Sequence, residues 1–202
     1  MENVYFKPWV GSNYKDAVKK ILVIGDSHYC GACQNCGVRG YCSIEEMGDC
    51  VNFTSNVVRE YLDFLNGKKE SDMWMRSFKC FDKILLGQDA TKEERTEMWN
   101  GIAFYNFVQT AISGVTSNAK YTQKDYVDSS AMALEIIKEL HPDYVIVWGK
   151  RAYNYLPDTD WLSEDKAYLL PNGHKVYCLR IDHPSRAHQA TWSKEVKKFL
   201  EK

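Results

Sequence analysis

Two short apolar runs, each ending in glycine, constrain the fold of this chain more than any other feature of its sequence. They cover residues 20–25 and 144–149, and each contains four consecutive apolar residues or more. Continuous runs of this length, without polar alternation, are typical of strands that are buried on both faces of a parallel sheet. The sequence therefore predicts that at least two strands of one buried sheet end at Gly25 and at Gly149.

Segments with helical spacing separate these strands. An amphipathic helix is predicted to begin near Thr54 and to end near Gly67, and Thr91 with Glu94 forms the pattern of a capping box that opens another helix. Further helices are predicted at 129–140, 150–156 and 191–201, and further strands at 102–108 and 175–181. A hairpin turn is predicted at 171–173. Residues 68–88 mix charged and aromatic side chains without a clear period and are predicted to be irregular or weakly helical.

This alternation of strands and helices predicts an α/β fold. The 202 residues, of which 45% are hydrophobic, suffice for one domain, so residues 1–202 are expected to form a single domain. Its centre is predicted to be a mostly parallel four-stranded sheet flanked by helices. Ligands of such sheets bind outside the carboxyl ends of the strands, where the functional residues are therefore expected.

Polar residues follow the predicted strand ends. Residues 26–29 come directly after the first strand, Asn106 lies near the end of the second, and residues 183–185 follow the last. Because the carboxyl ends of parallel strands share one edge of the sheet, these residues are predicted to line one crevice.

Five of the seven cysteines are concentrated in residues 30–50, directly after the first strand. We expect this segment to be a metal-binding insertion, with ligands drawn from Cys30, Cys33, Cys36, Cys42 and Cys50. Four thiolates in a glycine-rich stretch suit tetrahedral zinc. An iron-sulfur cluster accepts similar spacing and is the alternative, and unligated thiols are the third possibility.

Charge and hydropathy narrow the classes of partner. The net charge is -1 and the isoelectric point is near 6.5, which argues against strong sequence-independent binding of duplex nucleic acid. No apolar run approaches the roughly 18 residues that span a bilayer, and the first residues lack the apolar core of a signal peptide. The sequence thus predicts a cytoplasmic monomer with no membrane partner.

In their order along the chain, these motifs resemble those of the uracil-DNA glycosylase superfamily. Its members carry a first motif that begins with glycine, a strand with asparagine in mid-chain and a C-terminal His-Pro-Ser loop, which correspond here to Gly25, Asn106 and residues 183–185. Residues 145–149 resemble the strand and glycine that precede the last loop. The resemblance spans residues 21–185 and implies a DNA-repair hydrolase that cleaves the N-glycosidic bond between a base and deoxyribose.

The resemblance also implies roles for single residues. Asp26 would stabilise the cationic sugar and orient the attacking water, and His183 would hydrogen-bond the oxygen of the departing base. Asn106 would read the N3–H and O4 edge of a flipped uracil, and Tyr29 would lie beside C5. An aromatic ring from Phe53 or Tyr105 would stack on the base. The residues expected to bind substrate are Gly25, Ser27, His28, Tyr29, Phe53, Tyr105, Asn106 and Ser185.

Two positions depart from the best-known branch of the superfamily. Ser27 occupies the place of the catalytic aspartate, whereas Asp26 matches the acidic position of an iron-sulfur branch. Arg186 and Ala187 replace the Pro-Leu wedge that enters the duplex. The expected partner is therefore DNA, as a single strand or a flipped base, or a free nucleotide, with uracil the foremost base. Two alternatives remain: a catalytically altered module that binds nucleotides or nucleic acid through the same pocket, and a zinc-bearing structural protein.

Overall fold

A computed structural model describes residues 4–30, 48–109, 111–113, 121–158 and 167–202. Their fold is α/β, with a mixed six-stranded sheet flanked by helices. In chain order, the strands of the described residues are β1 Trp9–Val10, β2 Ile21–Gly25, β3 His28–Cys30, β4 Ala103–Asn106, β5 Ala111–Ser113, β6 Tyr144–Trp148, β7 Ala167–Leu169 and β8 Lys175–Ile181.

The large sheet has the strand order β1-β4-β2-β6-β8-β7. Neighbours among β4, β2, β6 and β8 pair in parallel, while β1 and β7 pair antiparallel to β4 and β8 at the two edges. The register sets Gly25 opposite Asn106, and Trp148 opposite Ile181. The carboxyl ends of the four inner strands therefore lie at one edge. Strands β3 and β5 form a separate parallel pair.

Helices cover both faces of the sheet. They are α1 Phe53–Leu65, α2 Arg76–Leu85, α3 Lys92–Gly101, α4 Gln123–Leu140, α5 Lys150–Asn154 and α6 Gln189–Leu200, with 3-10 turns at Tyr14–Asp16, Gly48–Asn52 and Met73–Met75. Alternate residues of each strand point to opposite faces. Leu22 and Ile24 thus pack with α4 and α5, whereas Val23 packs with α1, α2, α3 and α6. Strands β2, β4 and β6 are buried on both faces because each face has its own helical layer.

The expected four-stranded sheet differs from the observed sheet at its edges. Strands β1 and β7 add two antiparallel edges, and they are two and three residues long. So short a strand carries no periodic signal, which is why the sequence did not indicate β1 and indicated β7 only through the predicted hairpin turn. The predicted hairpin is confirmed: β7 and β8 are antiparallel, and Gly173 makes the turn at φ 81°, with its amide donating to Leu170 O at 2.8 Å.

The prediction that residues 68–88 are irregular or weakly helical was wrong for Arg76–Leu85, which form a regular α-helix. Helix α2 occupies Arg76–Leu85 and buries Phe78, Phe81 and Ile84, which recur every three residues. Met73 and Trp74 immediately before the helix obscured that period, because both are large apolar residues outside it. Met73 is 91% exposed although its type suggests a core position.

Other helices also begin or end a few residues from their predicted bounds. Helix α4 begins at Gln123 rather than at residue 129, since Thr122 and Asp125 form a capping box. Helix α1 begins at Phe53, and the side chain of Thr54 bonds to His28 instead of capping the helix. The capping box of Thr91 with Glu94 is confirmed. In the part of the chain that the structure describes, no helix is long and apolar enough to cross a membrane.

Candidate functional site

The predicted site residues of the inner strands lie at the carboxyl edge of the sheet. Asp26 follows β2, Asn106 ends β4, Gly149 follows β6 and His183 follows β8 by two residues. Backbone hydrogen bonds hold the strand ends together: Phe107 N donates to Gly25 O at 3.0 Å, and Gly149 N donates to Ile181 O at 2.8 Å. The structure therefore brings the three motifs to a common edge.

Gly25 makes room for the side chain of Asn106. A Cβ placed on Gly25 would lie 2.2 Å from Asn106 Oδ1 and 2.9 Å from Phe104 Cζ, well inside ordinary contact distance. Asn106 is 9% exposed, and its backbone carbonyl accepts from Gln109 Nε2 at 2.9 Å. Only glycine at residue 25 allows the asparagine amide to lie across the end of β2.

Asp26 is half-buried and is held by a tyrosine from α4. Tyr126 Oη donates to Asp26 Oδ1 at 2.8 Å, and the backbone carbonyl of Asp26 accepts from Val108 N at 3.0 Å. The guanidinium of Arg151, on α5, lies 5.4 Å from the centre of the Tyr126 ring. The carboxylate at the end of β2 thus has one oxygen fixed and a cation nearby.

His183 lies in the loop after β8 and is half-buried. Its Nδ1 lies 2.9 Å from Ser185 Oγ, and its ring stands edge-on to Trp148 at 6.1 Å. Burial lowers the pKa of His183, and Arg186 adds to this, while the negative charge of Asp26 opposes it. The imidazole is therefore neutral at neutral pH, and Asp26 is close enough to influence its charge.

His28 points into the protein rather than towards a ligand. It is 1% exposed, its Nδ1 lies 3.2 Å from Val108 O and its Nε2 lies 2.7 Å from Thr54 Oγ1. Burial lowers its pKa to about 3, against a smaller opposing effect of the Val108 carbonyl. Both ring nitrogens are occupied, so His28 supports the loop after β2 from behind. Ser27 beside it is half-buried.

Of the two rings expected to stack on a base, Phe53 is the one that is partly accessible. Phe53 is half-buried and packs edge-on against His28 at 5.2 Å. Tyr105 is fully buried on the face of β4 opposite Asn106, among residues that pack against α4. A base bound at Asn106 would not reach the Tyr105 ring without a rearrangement of this core.

The cysteine cluster lies mostly outside the described residues. Cys33, Cys36 and Cys42 fall there, as does the side chain of Tyr29, while Cys30 ends β3. Cys50 lies half-buried in the 3-10 turn Gly48–Asn52. Within the described ranges, no three side chains of His, Cys, Asp or Glu come together as a metal site.

Two cavities lie away from this edge. One of about 710 Å³ adjoins Ile21, Met98 and Leu200, at the amino end of β2, and another of about 650 Å³ lies between α1 and α3. None of the predicted site residues lines either one.

Two residues of the site were not foreseen from the sequence. Tyr126 lies 100 residues from Asp26 in sequence, and Arg151 lies in the first turn of α5. Tyr126 carries no local signal, because it occupies an ordinary buried position of an amphipathic helix. Arg151 could have been noted, since it comes two residues after the glycine that ends a predicted strand.

Comparison of the sequence with protein-family models gives no match, and comparison with curated proteins gives none either. Any functional assignment of this chain therefore depends on the side chains gathered at the carboxyl edge of the sheet.

Proposed function

We propose that this chain is a DNA-glycosylase-like hydrolase that removes a deaminated or modified base, with uracil the foremost candidate. The observation that carries the proposal is the common position of Asp26, Asn106 and His183 at the carboxyl ends of three parallel strands. In this proposal the inner strands correspond to the sheet of the uracil-DNA glycosylase superfamily, and the protein acts in the cytoplasm.

The chemistry uses Asp26 and His183 as a charged and a neutral partner. The C1′–N bond breaks, the base leaves as an anion with the bonding electrons, water adds to C1′ as a hydroxyl group, and the proton that the water loses ends on the released base. The Asp26 carboxylate stabilises the positive charge on the sugar and orients the water. When Ser185 donates to Nδ1 of His183, Nε2 carries the ring proton and can donate to the oxygen of the departing base. A neutral imidazole suits this task, and burial keeps it neutral.

Asn106 supplies base recognition. Its amide offers one acceptor and one donor, which match the N3–H and O4 edge of uracil. Because Asn106 is 9% exposed, a hydrogen bond from its amide to a base would be protected from water. Gly25 leaves the space that this amide occupies beside the end of β2.

The favoured substrate is a base in single-stranded DNA. Arg186 and Ala187 follow the His-Pro-Ser loop, so the chain has no large apolar side chain there to fill the gap left by a flipped base. The near-neutral net charge also favours a substrate that needs little electrostatic binding energy.

The direct test is a panel of oligonucleotides that carry uracil or hypoxanthine, offered as single and double strands, with abasic sites revealed by alkaline cleavage. We expect cleavage of the single-stranded uracil substrate and its loss in Asp26→Asn. Asp182→Asn is the matched control, because this exposed carboxylate binds Trp192 Nε1 at 3.2 Å and belongs to the same edge. Absence of cleavage on the whole panel would refute the glycosylase proposal.

The same protein samples distinguish a binding module from an enzyme. The replacement of the superfamily aspartate by Ser27 favours this second candidate. A nucleotide that raises the Tm of both wild type and Asp26→Asn, without base release by either, would support the binding module, because binding outlives removal of the carboxylate charge.

We also propose that the cysteines of residues 30–50 hold zinc, with an iron-sulfur cluster as the alternative. Cys30 adjoins Tyr29, so a bound metal would fix the loop that carries the first motif. Elemental analysis of the purified protein and its visible absorption separate the two metals. Protein that contains neither zinc nor iron when purified without chelators would contradict the proposal.

A further inference from the structure

We propose that Tyr126 is a positioning residue that fixes the Asp26 carboxylate for reaction. This inference rests on the proposed function, since it gives Tyr126 a part in the chemistry assigned to Asp26. The central contact is the hydrogen bond from Tyr126 Oη to Asp26 Oδ1 at 2.8 Å, which joins α4 to the end of β2.

The Tyr126 ring is held from several sides. It is 1% exposed and makes stacked contacts with Phe107, at 6.0 Å, and Tyr155, at 5.3 Å, with interplanar angles of 25° and 29°. Tyr121 meets it edge-on at 6.5 Å. A ring packed in this way has little rotational freedom, so the position of its hydroxyl is determined by the fold.

The first turn of α4 is fixed as well. Thr122 and Asp125 close a capping box, and Ser129 Oγ donates to Asp125 O at 2.6 Å while accepting from Gln109 N at 3.0 Å. Gln109 in turn bonds to Asn106 O. The turn that carries Tyr126 is thereby tied to the end of β4, and the donor to Asp26 shares a framework with the base-reading amide.

The chemistry of the Tyr126 hydroxyl suits a permanent donor. Burial, followed by the charge of Asp26, raises the pKa of Tyr126 well above its ordinary value, and the nearby Arg151 opposes this only in part. The hydroxyl thus keeps its proton at any working pH. Arg151 is itself exposed, and its cation lies over the ring.

The two carboxylate oxygens of Asp26 therefore have different roles. Oδ1 accepts from Tyr126, which prevents free rotation of the carboxylate, and Oδ2 keeps its acceptor capacity for the sugar cation and the water. Electrostatic stabilisation of a transition state depends on groups that are oriented before the reaction begins. Tyr126 provides that orientation without touching the substrate.

The test is Tyr126→Phe, which removes the hydroxyl and keeps the ring. Tyr155→Phe is the matched control, because it removes a hydroxyl from the ring stacked on Tyr126. On single-stranded uracil DNA we expect kcat to fall at least about 10-fold in Tyr126→Phe, with KM little changed, because hydrogen bonds to charged groups are the stronger ones. Tyr155→Phe should show no fall in kcat.

A kcat of Tyr126→Phe equal to that of the wild type would overturn the inference. If the wild type releases no base at all, the proposed function is refuted, but the role of Tyr126 can still be tested. Crystal structures of the wild type and Tyr126→Phe then show whether Tyr126 fixes the Asp26 side chain. The inference then requires that the Asp26 side chain leave its position or occupy several rotamers in Tyr126→Phe. An Asp26 carboxylate in the same single rotamer in both crystals would overturn it.

Discussion

Adding one methyl group at Gly25 should disturb the site and the fold together. In Gly25→Ala the new Cβ would lie 2.2 Å from Asn106 Oδ1 and 2.9 Å from Phe104 Cζ, whereas ordinary contacts begin near 3.4 Å. The asparagine amide must therefore move by about 1 Å or more, and the phenylalanine ring must shift as well. Overpacking of this kind lowers the free energy of unfolding by about 1–3 kcal/mol.

Urea unfolding followed by tryptophan fluorescence measures this loss, and Gly101→Ala is the control. Gly101 ends α3, and a Cβ there meets nothing within 4 Å, so the same methyl group should leave stability unchanged or slightly increased. In a chain of this size, 1 kcal/mol corresponds to a change in Tm of about 2–4 °C. We further expect Gly25→Ala to weaken substrate binding, because the displaced amide no longer meets the base.

A double-mutant cycle with Asn106→Ala isolates the contact itself. Without the Asn106 amide, the new methyl group clashes only with Phe104, so Gly25→Ala should destabilise the Asn106→Ala protein less than the wild type, by at least about 0.5 kcal/mol. An equal loss of stability in both backgrounds would show that Gly25 and Asn106 do not approach each other closely. Glycine would then not be required at residue 25 to accommodate the Asn106 amide.

Two further predictions concern buried titratable groups. Burial lowers the pKa of His28 from 6.5 to about 3, so its contribution to stability is complete above pH 6.5 and is lost as pH falls towards 3. His28→Gln should therefore lose less stability than the wild type between about pH 7 and pH 5. An equal loss in both proteins would contradict the burial of a neutral imidazole. Burial raises the pKa of Asp82 from 3.8 to about 6, although Tyr61 and Trp99 donate hydrogen bonds to it. The effect of pH is therefore opposite to that of His28: the stability contributed by Asp82 is lost as pH rises through 6. Urea unfolding should therefore show Asp82→Asn gaining stability relative to wild type between about pH 4 and pH 7, and a constant difference would refute this.

The apolar strands were predictable from the sequence because burial on both faces requires consecutive apolar residues. Strands β2 and β6 each pack against helices on both faces of the sheet, so neither shows an alternating pattern of apolar and polar residues. The end of the first run then indicated where Asp26 would lie, and the end of the predicted strand 102–108 indicated the position of Asn106. The same reasoning missed α2, since its regular spacing follows directly after the unrelated apolar residues Met73 and Trp74.

Contacts between distant segments could not be predicted in this way. His28 was expected to meet the substrate, yet it packs on Phe6 at 4.2 Å and bonds to Thr54, and nothing local to residue 28 indicates either partner. The hydrogen bond of Tyr126 to Asp26 spans 100 residues. Such pairs depend on how α1 and α4 pack against the ends of the strands, which is a property of the whole fold.

Single-turnover release of free uracil from a single-stranded oligonucleotide tests directly whether this edge of the sheet is a base-excising site. The release is quantified for the wild type, Asp26→Asn, His183→Ala and Asn106→Ala. If these residues form one site, the wild type releases the base, Asp26→Asn is the most impaired, and each of the other two variants is slowed because a contact to the base is lost. Release that is undetectable in the wild type, or equally fast in the wild type and Asp26→Asn, would contradict the claim that the carboxyl edge of this sheet is a base-excising site.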